Sequence, residues 1–256
     1  MSIYISIVSH NHSELINKLG CVLDLSTDFN ICIKSNTPYD SFNTLEKIDH
    51  IHWIQDKYFK GFGANNNYVF DYCTNQMSMK DDDYFVVLNP DVIINKENIE
   101  HLILLMEDEK IDIAAINLYK DKLYNVYDNS IRRFPNLFQF VKSFLGFGNN
   151  SVFDKDKIIF PTKVDWAAGS FIAFKAQHYK DLQGFDEGYF MYCEDIDICF
   201  RSQKMNKPIT YFPLIKAIHM ANHNNRKLFS KHFLWHVSSV VRFLLVKHGF
   251  INKKIV

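Results

Sequence analysis

Short apolar runs recur along the chain, each closed by polar residues and followed by a stretch with helical spacing. The first, Ile3-Tyr4-Ile5-Ser6-Ile7-Val8-Ser9, predicts a strand. His10-Asn11-His12-Ser13 follow it, polar residues able to cap a helix over roughly Glu14–Leu25. Phe29–Ile33 and Ile51–Ile54 predict two further strands, and the first of these ends in Lys34-Ser35-Asn36. This βαβ rhythm argues for an α/β fold with a parallel, doubly wound sheet that binds ligands at the carboxyl ends of its strands. Ser9–Asn11 and Ser35-Asn36 would then share one rim.

Gly61-Phe62-Gly63-Ala64-Asn65-Asn66-Asn67 comes next. Its glycines allow close backbone approach to a ligand, and its asparagines can cap a helix beginning near Asn67. The same residues also read as plain loop chemistry. Asp81-Asp82-Asp83 reads as a solvated turn before a strand, Tyr84–Leu88, which runs into Asn89-Pro90-Asp91 and then Val92-Ile93-Ile94. A carboxylate on a kinked turn at a strand's carboxyl end can hold a hard cation and a diphosphate. Asn-Pro-Asp is equally good turn chemistry. A helix over about Glu97–Glu109 and a strand over Ile111–Ile116 follow.

Between residues 119 and 160 the regularity fades, as in an insertion or lid. This segment holds Arg132 and Arg133, either phosphate ligands or ordinary surface arginines, and an aromatic helical stretch, Leu137–Phe147. Val164–Phe174 reads as a strand with small residues at its centre, and Ala176–Leu182 as a helix capped at Gly184. Tyr189-Phe190-Met191-Tyr192-Cys193-Glu194-Asp195-Ile196-Asp197 then sets three carboxylates among apolar residues, at a helix start near Glu194. A surface charge cluster complementing the helix dipole is one reading. Buried carboxylates that need a proton, a metal or a partner are the other. Two strands, Ile209–Pro213 and Ala217–His219, follow, with His219 where a further metal ligand could sit.

Arg226–His248 predicts a helix with Leu234, Val237, Val241, Leu244 and Leu245 on one face and Lys231, Ser238 and Arg242 on another. The apolar face suits packing on the domain or contact with a bilayer. Charge sharpens that choice. The chain is neutral overall, but residues 198–256 carry eleven Lys or Arg and no Asp or Glu. Such a segment suits an anionic membrane surface, through Lys231, Arg242 and Lys247 among others. No nucleic-acid-binding motif accompanies it. At 47% hydrophobic and 15% aromatic the chain can build a sizeable core and is not disordered. Five scattered cysteines without a CxxC pair read as reduced thiols of a cytoplasmic protein. No signal peptide is expected, and no apolar run reaches spanning length; Val237–Val246 is broken by Ser238, Ser239 and Arg242.

Asn89-Pro90-Asp91, Trp166-Ala167-Ala168-Gly169-Ser170 and the run from Gly184 to Arg201 resemble the family 2, GT-A-fold glycosyltransferases. Within them the chain is most similar to bacterial rhamnosyltransferases of O-antigen and other cell-surface polysaccharide assembly. Ile7–Asn11 and the Gly61–Asn67 loop fit the same pattern, so the resemblance covers nearly the whole chain. It implies a GT-A domain over residues 1–225, with 119–160 inserted, and a basic amphipathic helical segment over 226–256. It further implies inverting transfer from a nucleoside diphosphate sugar, most closely dTDP-L-rhamnose, to a polyprenyl-diphosphate-linked saccharide at the inner leaflet of the cytoplasmic membrane. Other donors, a UDP-hexose or UDP-galactofuranose, share this pattern, as would a non-catalytic nucleotide-sugar-binding relative.

Residue by residue, the resemblance makes Asp195 the catalytic base. It gives Asp91 and His219 to a divalent metal, Mg²⁺ or Mn²⁺. Ser9, Asn11, Asn36, Gly63, Asn66, Asn89, Asp91, Arg132 and Gly169 are implied to bind the donor, and Trp166 and Glu194 the acceptor. Asp186 or Asp197 would fix the loop. Two departures stand out: Asn89 replaces the first acid of the metal motif, and Ser35-Asn36 stands where many relatives carry Asp-Asn.

Overall fold

The computed structural model describes residues 1–144, 151–220 and 231–251. The chain opens with β1 (Ile3–Ser9), α1 (Ser13–Leu19), α2 (Cys21–Leu25), β2 (Asn30–Ser35) and β3 (Ile51–Ile54). It continues through α3 (Phe62–Gln76), β4 (Tyr84–Leu88), β5 (Val92–Ile93), α4 (Lys96–Asp108) and β6 (Ile113–Tyr119). The less regular middle holds β7 (Ile131–Arg132), α5 (Leu137–Phe144), β8 (Thr162–Lys163) and β9 (Trp166–Ala167). Last come β10 (Phe171–Lys175), α6 (Ala176–Asp181), α7 (Glu194–Lys204), β11 (Thr210–His219) and α8 (Lys231–Lys247).

A central sheet runs β3-β2-β1-β4-β10-β6-β11-β5, with β8 pairing β11 at its side. The β3-β2-β1-β4 half is parallel throughout. β10 then enters antiparallel to both β4 and β6, while β6 and β11 are again parallel. The sheet is therefore more mixed than the βαβ rhythm suggests. A buried run such as Phe171–Phe174 predicts a strand but carries no information about its direction.

The apolar strands sort by alternation onto two faces. Tyr4, Phe85, Val87 and Phe174 join Val69, Tyr179, Phe185 and Ile198 in one core. Ile5, Ile7, Val86 and Leu88 join Leu25, Ile99, Leu102 and Met106 in the other. Backbone chemistry explains most departures from the expected elements. The helix expected over Glu14–Leu25 breaks at Gly20, whose φ of +71° ends α1 before α2 begins. α3 starts at Phe62, so Asn65 and Asn66 lie inside it, with Asn65 reaching back to the Gly61 carbonyl. The strand expected over Val164–Phe174 is interrupted between Ala167 and Phe171, where the chain passes the carboxyl ends of the sheet. The two strands expected over 209–219 are one, β11, with an irregularity between Phe212 and Lys216 around Pro213.

α8 packs on the domain, but only Leu244 of the expected face is seen to meet the core. Ser239, Val240, Phe243 and Val246 turn inward, and the Phe243 ring lies 5.9 Å from that of Phe200. Leu234 and Val241 remain 63% and 52% exposed. Expected residues 145–147 of the aromatic helix and 226–230 of the C-terminal one lie outside the described residues. No helix among the described residues is long and apolar enough to cross a membrane.

Candidate active site

Residues 184–193 form the loop that presents the acidic cluster. It begins where Gly184, at φ +66°, seats against the Asn67 side chain. Asn67 Oδ1 accepts from Phe185 N (2.8 Å) and from the Tyr179 hydroxyl (2.8 Å). Phe62 N donates to Phe190 O at 3.1 Å, and a Cβ on Gly61 would collide with that same carbonyl. A Cβ on Gly63 would lie 2.7 Å from Phe185 Cβ. The close approach expected of these glycines is thus made to the chain's own loop. Tyr192 and Cys193 are both left-handed, at φ +72° and +64°, and this double reversal aims the chain into α7.

The first turn of α7 carries Glu194, Asp195 and Asp197. Asp197 pairs with Arg201 at 2.7 Å, and that guanidinium also donates to the carbonyls of Leu182 and Gly184. Asp195 Oδ1 accepts from Ile196 N (2.9 Å) and Oδ2 from Gly169 N (3.2 Å). Glu194 is 6% exposed and its Oε2 has no hydrogen-bond partner among the described residues. Burial and the neighbouring Asp195 push its carboxyl well above the usual range. Burial raises Asp195 too, but the two backbone N–H groups and the charge of Arg132 oppose that rise. When the pair shares one proton, Glu194 holds it and Asp195 keeps the charge.

The other half of the site lies at the turn after β4. Asn89 N donates to Ser170 O (2.9 Å), and Val92 N to Asn89 O (3.1 Å). β5 pairs with the end of β11, setting His219 opposite Val92 and beside Asp91. His219 Nε2 lies 3.4 Å from Asp91 Oδ1, and its Nδ1 lies 3.2 Å from Asp128 Oδ2. Burial alone would lower the imidazole pKa. The hydrogen bonds to Asp128 and Asp91 outweigh it and push the pKa up to about 9. Gly169 and Ser170 therefore join the two halves: the N–H of the first holds Asp195, and the carbonyl of the second holds the Asn89–Asp91 turn.

At the rim of β1 and β2 the expected donor residues are largely engaged with the protein. Ser9 is buried and donates to Asp40 Oδ1 at 2.7 Å. Asn36 makes two 2.9 Å bonds with the Lys60 peptide, fastening the loop before Gly61. Asn66 is fully buried, accepting from Ser6 (2.7 Å) and donating to Phe62 O (3.0 Å), so it braces α3 against β1 and lies beneath the rim. Asn11 is exposed and left-handed, at φ +63°. Arg132 lies over the Trp166 ring, 5.5 Å from its centroid, and donates to Asn129 O. Trp166 is buried and its indole N–H is given to Arg133 O (2.9 Å), so it supports Arg132 from below.

The family model for glycosyl transferase family 2 matches residues 24–169, more than half of the sequence. The chain belongs to glycosyl transferase family 2. This glycosyltransferase is 36% identical over 255 residues to rhamnosyltransferase WbbL of Escherichia coli (strain K12), covering 98% of the chain and 96% of that relative. It is 31% identical over 86 residues to the N-acetylglucosaminyl-diphospho-decaprenol L-rhamnosyltransferase of Mycobacterium tuberculosis, covering 34% of the chain and 28% of that protein. Among solved structures, S. aureus TarS 1–349 in complex with UDP-GlcNAc superposes with a TM-score of 0.60 at 15% identity, over the whole chain and 68% of TarS 1–349. GalNAc-T7 with UDP, GalNAc and Mn²⁺ does so with the same TM-score at 11% identity, over the whole chain and 52% of that protein. At these identities the likeness is one of fold, and the fold is GT-A.

Two residues of this glycosyltransferase's site escaped the sequence reading. Asp128 sits in the aperiodic 119–160 segment, where no pattern marked it. Asp40 supplies a carboxylate at the rim where Ser35 does not, and its Oδ2 is buried with no hydrogen-bond partner among the described residues. The donor set at Asp91 and His219 suits a divalent metal such as Mn²⁺, with one carboxylate oxygen and one imidazole nitrogen. Asp128, on the far nitrogen of His219, would fix the tautomer that leaves Nε2 available. Among the described residues no group of three or more such side chains forms a cage by itself.

Proposed function

We propose that this glycosyltransferase moves a sugar with inversion from a nucleoside diphosphate donor, dTDP-L-rhamnose, to a polyprenyl-diphosphate-linked saccharide. The observation that carries the reading is the Gly169–Ser170 bridge, which holds Asp195 through the Gly169 N–H and the Asn89–Asp91 turn through the Ser170 carbonyl. An acceptor hydroxyl on Asp195 can then lie across the anomeric carbon from a diphosphate at Asp91. Asp195 takes the hydroxyl proton as the oxygen attacks. The bond from the anomeric carbon to the diphosphate oxygen breaks in the same displacement, so the configuration inverts. Glu194, kept neutral by burial, adds no second negative charge beside the base and can donate a hydrogen bond to the acceptor. A divalent metal held by Asp91 and His219 would supply charge stabilisation to the departing diphosphate. Near-full-length identity to a rhamnosyltransferase supports the donor assignment.

The test is a panel of nucleotide sugars with an N-acetylglucosaminyl-diphospho-lipid acceptor, in Mg²⁺ or Mn²⁺ and in EDTA. Transfer from dTDP-L-rhamnose, abolished by EDTA, is the expected result. Transfer from a UDP-sugar instead would overturn the rhamnose assignment while keeping the chemistry. No turnover of any donor would favour a binding protein.

The chain is further proposed to work at the inner face of the cytoplasmic membrane, held there by its basic C-terminal segment. Of the charges first assigned to lipid, Arg242 and Lys247 are used internally, bonding Asp186 and the Pro135 carbonyl. Lys231 is exposed, and Lys253 and Lys254 lie outside the described residues. Each basic residue near an anionic leaflet contributes about 1 kcal/mol. Neutralising Lys231, Lys253 and Lys254 to Gln should therefore weaken binding to phosphatidylglycerol vesicles by roughly a hundredfold. Unchanged vesicle binding would remove the membrane from the proposal.

A further inference from the structure

The loop that delivers Asp195 also meets the first turns of α8, and the two build a cluster of rings that the reaction above leaves unused. Phe190 and Trp235 stack at 4.7 Å between centroids, tilted by 45°. His232 stands edge-on to Trp235 at 5.0 Å. The Tyr192 hydroxyl lies 3.1 Å from His232 Nδ1, and its ring lies 5.1 Å from His236. Ser239 ties this arrangement to the loop by donating to Met191 O at 2.8 Å.

Position and chemistry set the cluster apart from the aromatic core. Phe85, Phe174, Tyr179 and Phe185 also meet ring to ring, but all four are core residues, buried on both sides. Here Phe190 is 41% exposed and Tyr192, His232, Trp235 and His236 are half-buried. Tyr192 precedes Asp195 by three residues across the double left-handed turn. Apolar ring faces alternate with a hydroxyl and two imidazoles. An uncharged sugar has the matching pattern, with a face of polarised C–H groups and an edge of hydroxyls. The negative face of an aromatic ring attracts the first, and imidazole or phenol groups bond the second.

We propose that Phe190, Tyr192, His232, Trp235 and His236 form the subsite for the acceptor's saccharide, seating its ring so that one hydroxyl reaches Asp195. This rests on the functional reading above. The occupant is the sugar of the acceptor, and neither its diphosphate nor its lipid chain. The rings thereby make α8 a wall of the site.

Two probes separate these parts: an N-acetylglucosaminyl-diphospho-lipid with a short isoprenoid chain, and the same diphospho-lipid without sugar. Binding is read by calorimetric titration, which needs no turnover, and transfer by initial rates. Trp235→Ala and, separately, His232→Ala should raise the acceptor KM roughly tenfold, about 1.4 kcal/mol. The donor KM and the melting temperature should hold, Trp235→Phe should recover most of the loss, and binding of the sugar-free probe should not change. Wild-type acceptor affinity in both variants would overturn the subsite, as would an equal loss for the sugar-free probe or failure of the wild type to bind the sugar probe. If Trp235→Ala unfolds α8, the surface variant His232→Ala decides alone. A wild type that binds the sugar probe but turns over no donor would refute the catalytic reading and leave the subsite standing.

Discussion

Arg242→Ala should cost about 3–5 kcal/mol of stability, the effect of stranding a buried charge. Asp186 is fully buried, and Arg242 meets it through Nε at 3.0 Å and Nη2 at 2.6 Å. The guanidinium also lies over the Tyr189 ring, 5.3 Å from the centroid, and a Cβ on Gly188 would collide with it. Asp186 Oδ1 meanwhile accepts from Gly188 N at 2.8 Å. Removing the arginine takes both of these charge-assisted bonds from a fully buried carboxylate. Lysine should recover only part of the loss, because it cannot reproduce the fork. Exchanging both partners for apolar residues of similar size should cost far less than either single change. Urea midpoints of the four proteins check this, and a loss below about 1 kcal/mol for Arg242→Ala would mean the pair is exposed in solution. Activity should fall further than stability requires, since the loop fixed by this pair leads directly to Asp195.

The second large effect is on the reaction. Asp195→Asn should lower kcat/KM by about 10²–10⁴-fold, the usual contribution of a positioned general base, with donor affinity unchanged. Glu194→Gln should cost less than about tenfold, because glutamine imitates the protonated acid that burial enforces there. The asymmetry tests the division of the proton between the two neighbours. If the two variants lose activity equally, Glu194 is not the neutral member. Because burial raises the Asp195 pKa, the acid limb of the wild-type pH profile should fall above the ordinary aspartate range. Activity requires the ionised form, so it should rise with pH through that limb, and the limb should vanish in Asp195→Asn.

Legibility in the sequence followed the physics of each signal. Strands with continuous apolar runs, such as Tyr84–Leu88, were plain because burial on both faces leaves no other composition. The start of α7 was plain because its acids sit where the dipole favours them. Gly20 punctuated a helical pattern, yet whether it would break the helix depended on a φ that only the fold determines. Ser9, Asn36 and Asn66 showed the opposite limit. A polar side chain near a rim can face a ligand or satisfy its own backbone, and these three bond to the protein. Arg242 was read as a surface charge because its partner, Asp186, is 56 residues away. Asp128 lay in a stretch with no periodicity to read.

That separation between Asp186 and Arg242 also fixes an order in time. A ribosome adding about 5–20 residues per second needs several seconds to cover the interval. Until Arg242 has left the exit tunnel, a nascent chain lacks this guanidinium for the carboxylate at the root of the loop ahead of Asp195. The sheet can pair during that wait, while one of the two cores still awaits Val240 and Phe243. The loop is therefore fixed only after the strands around it have been made, so a chain cut before Arg242 would keep its sheet and lose the geometry ahead of Asp195.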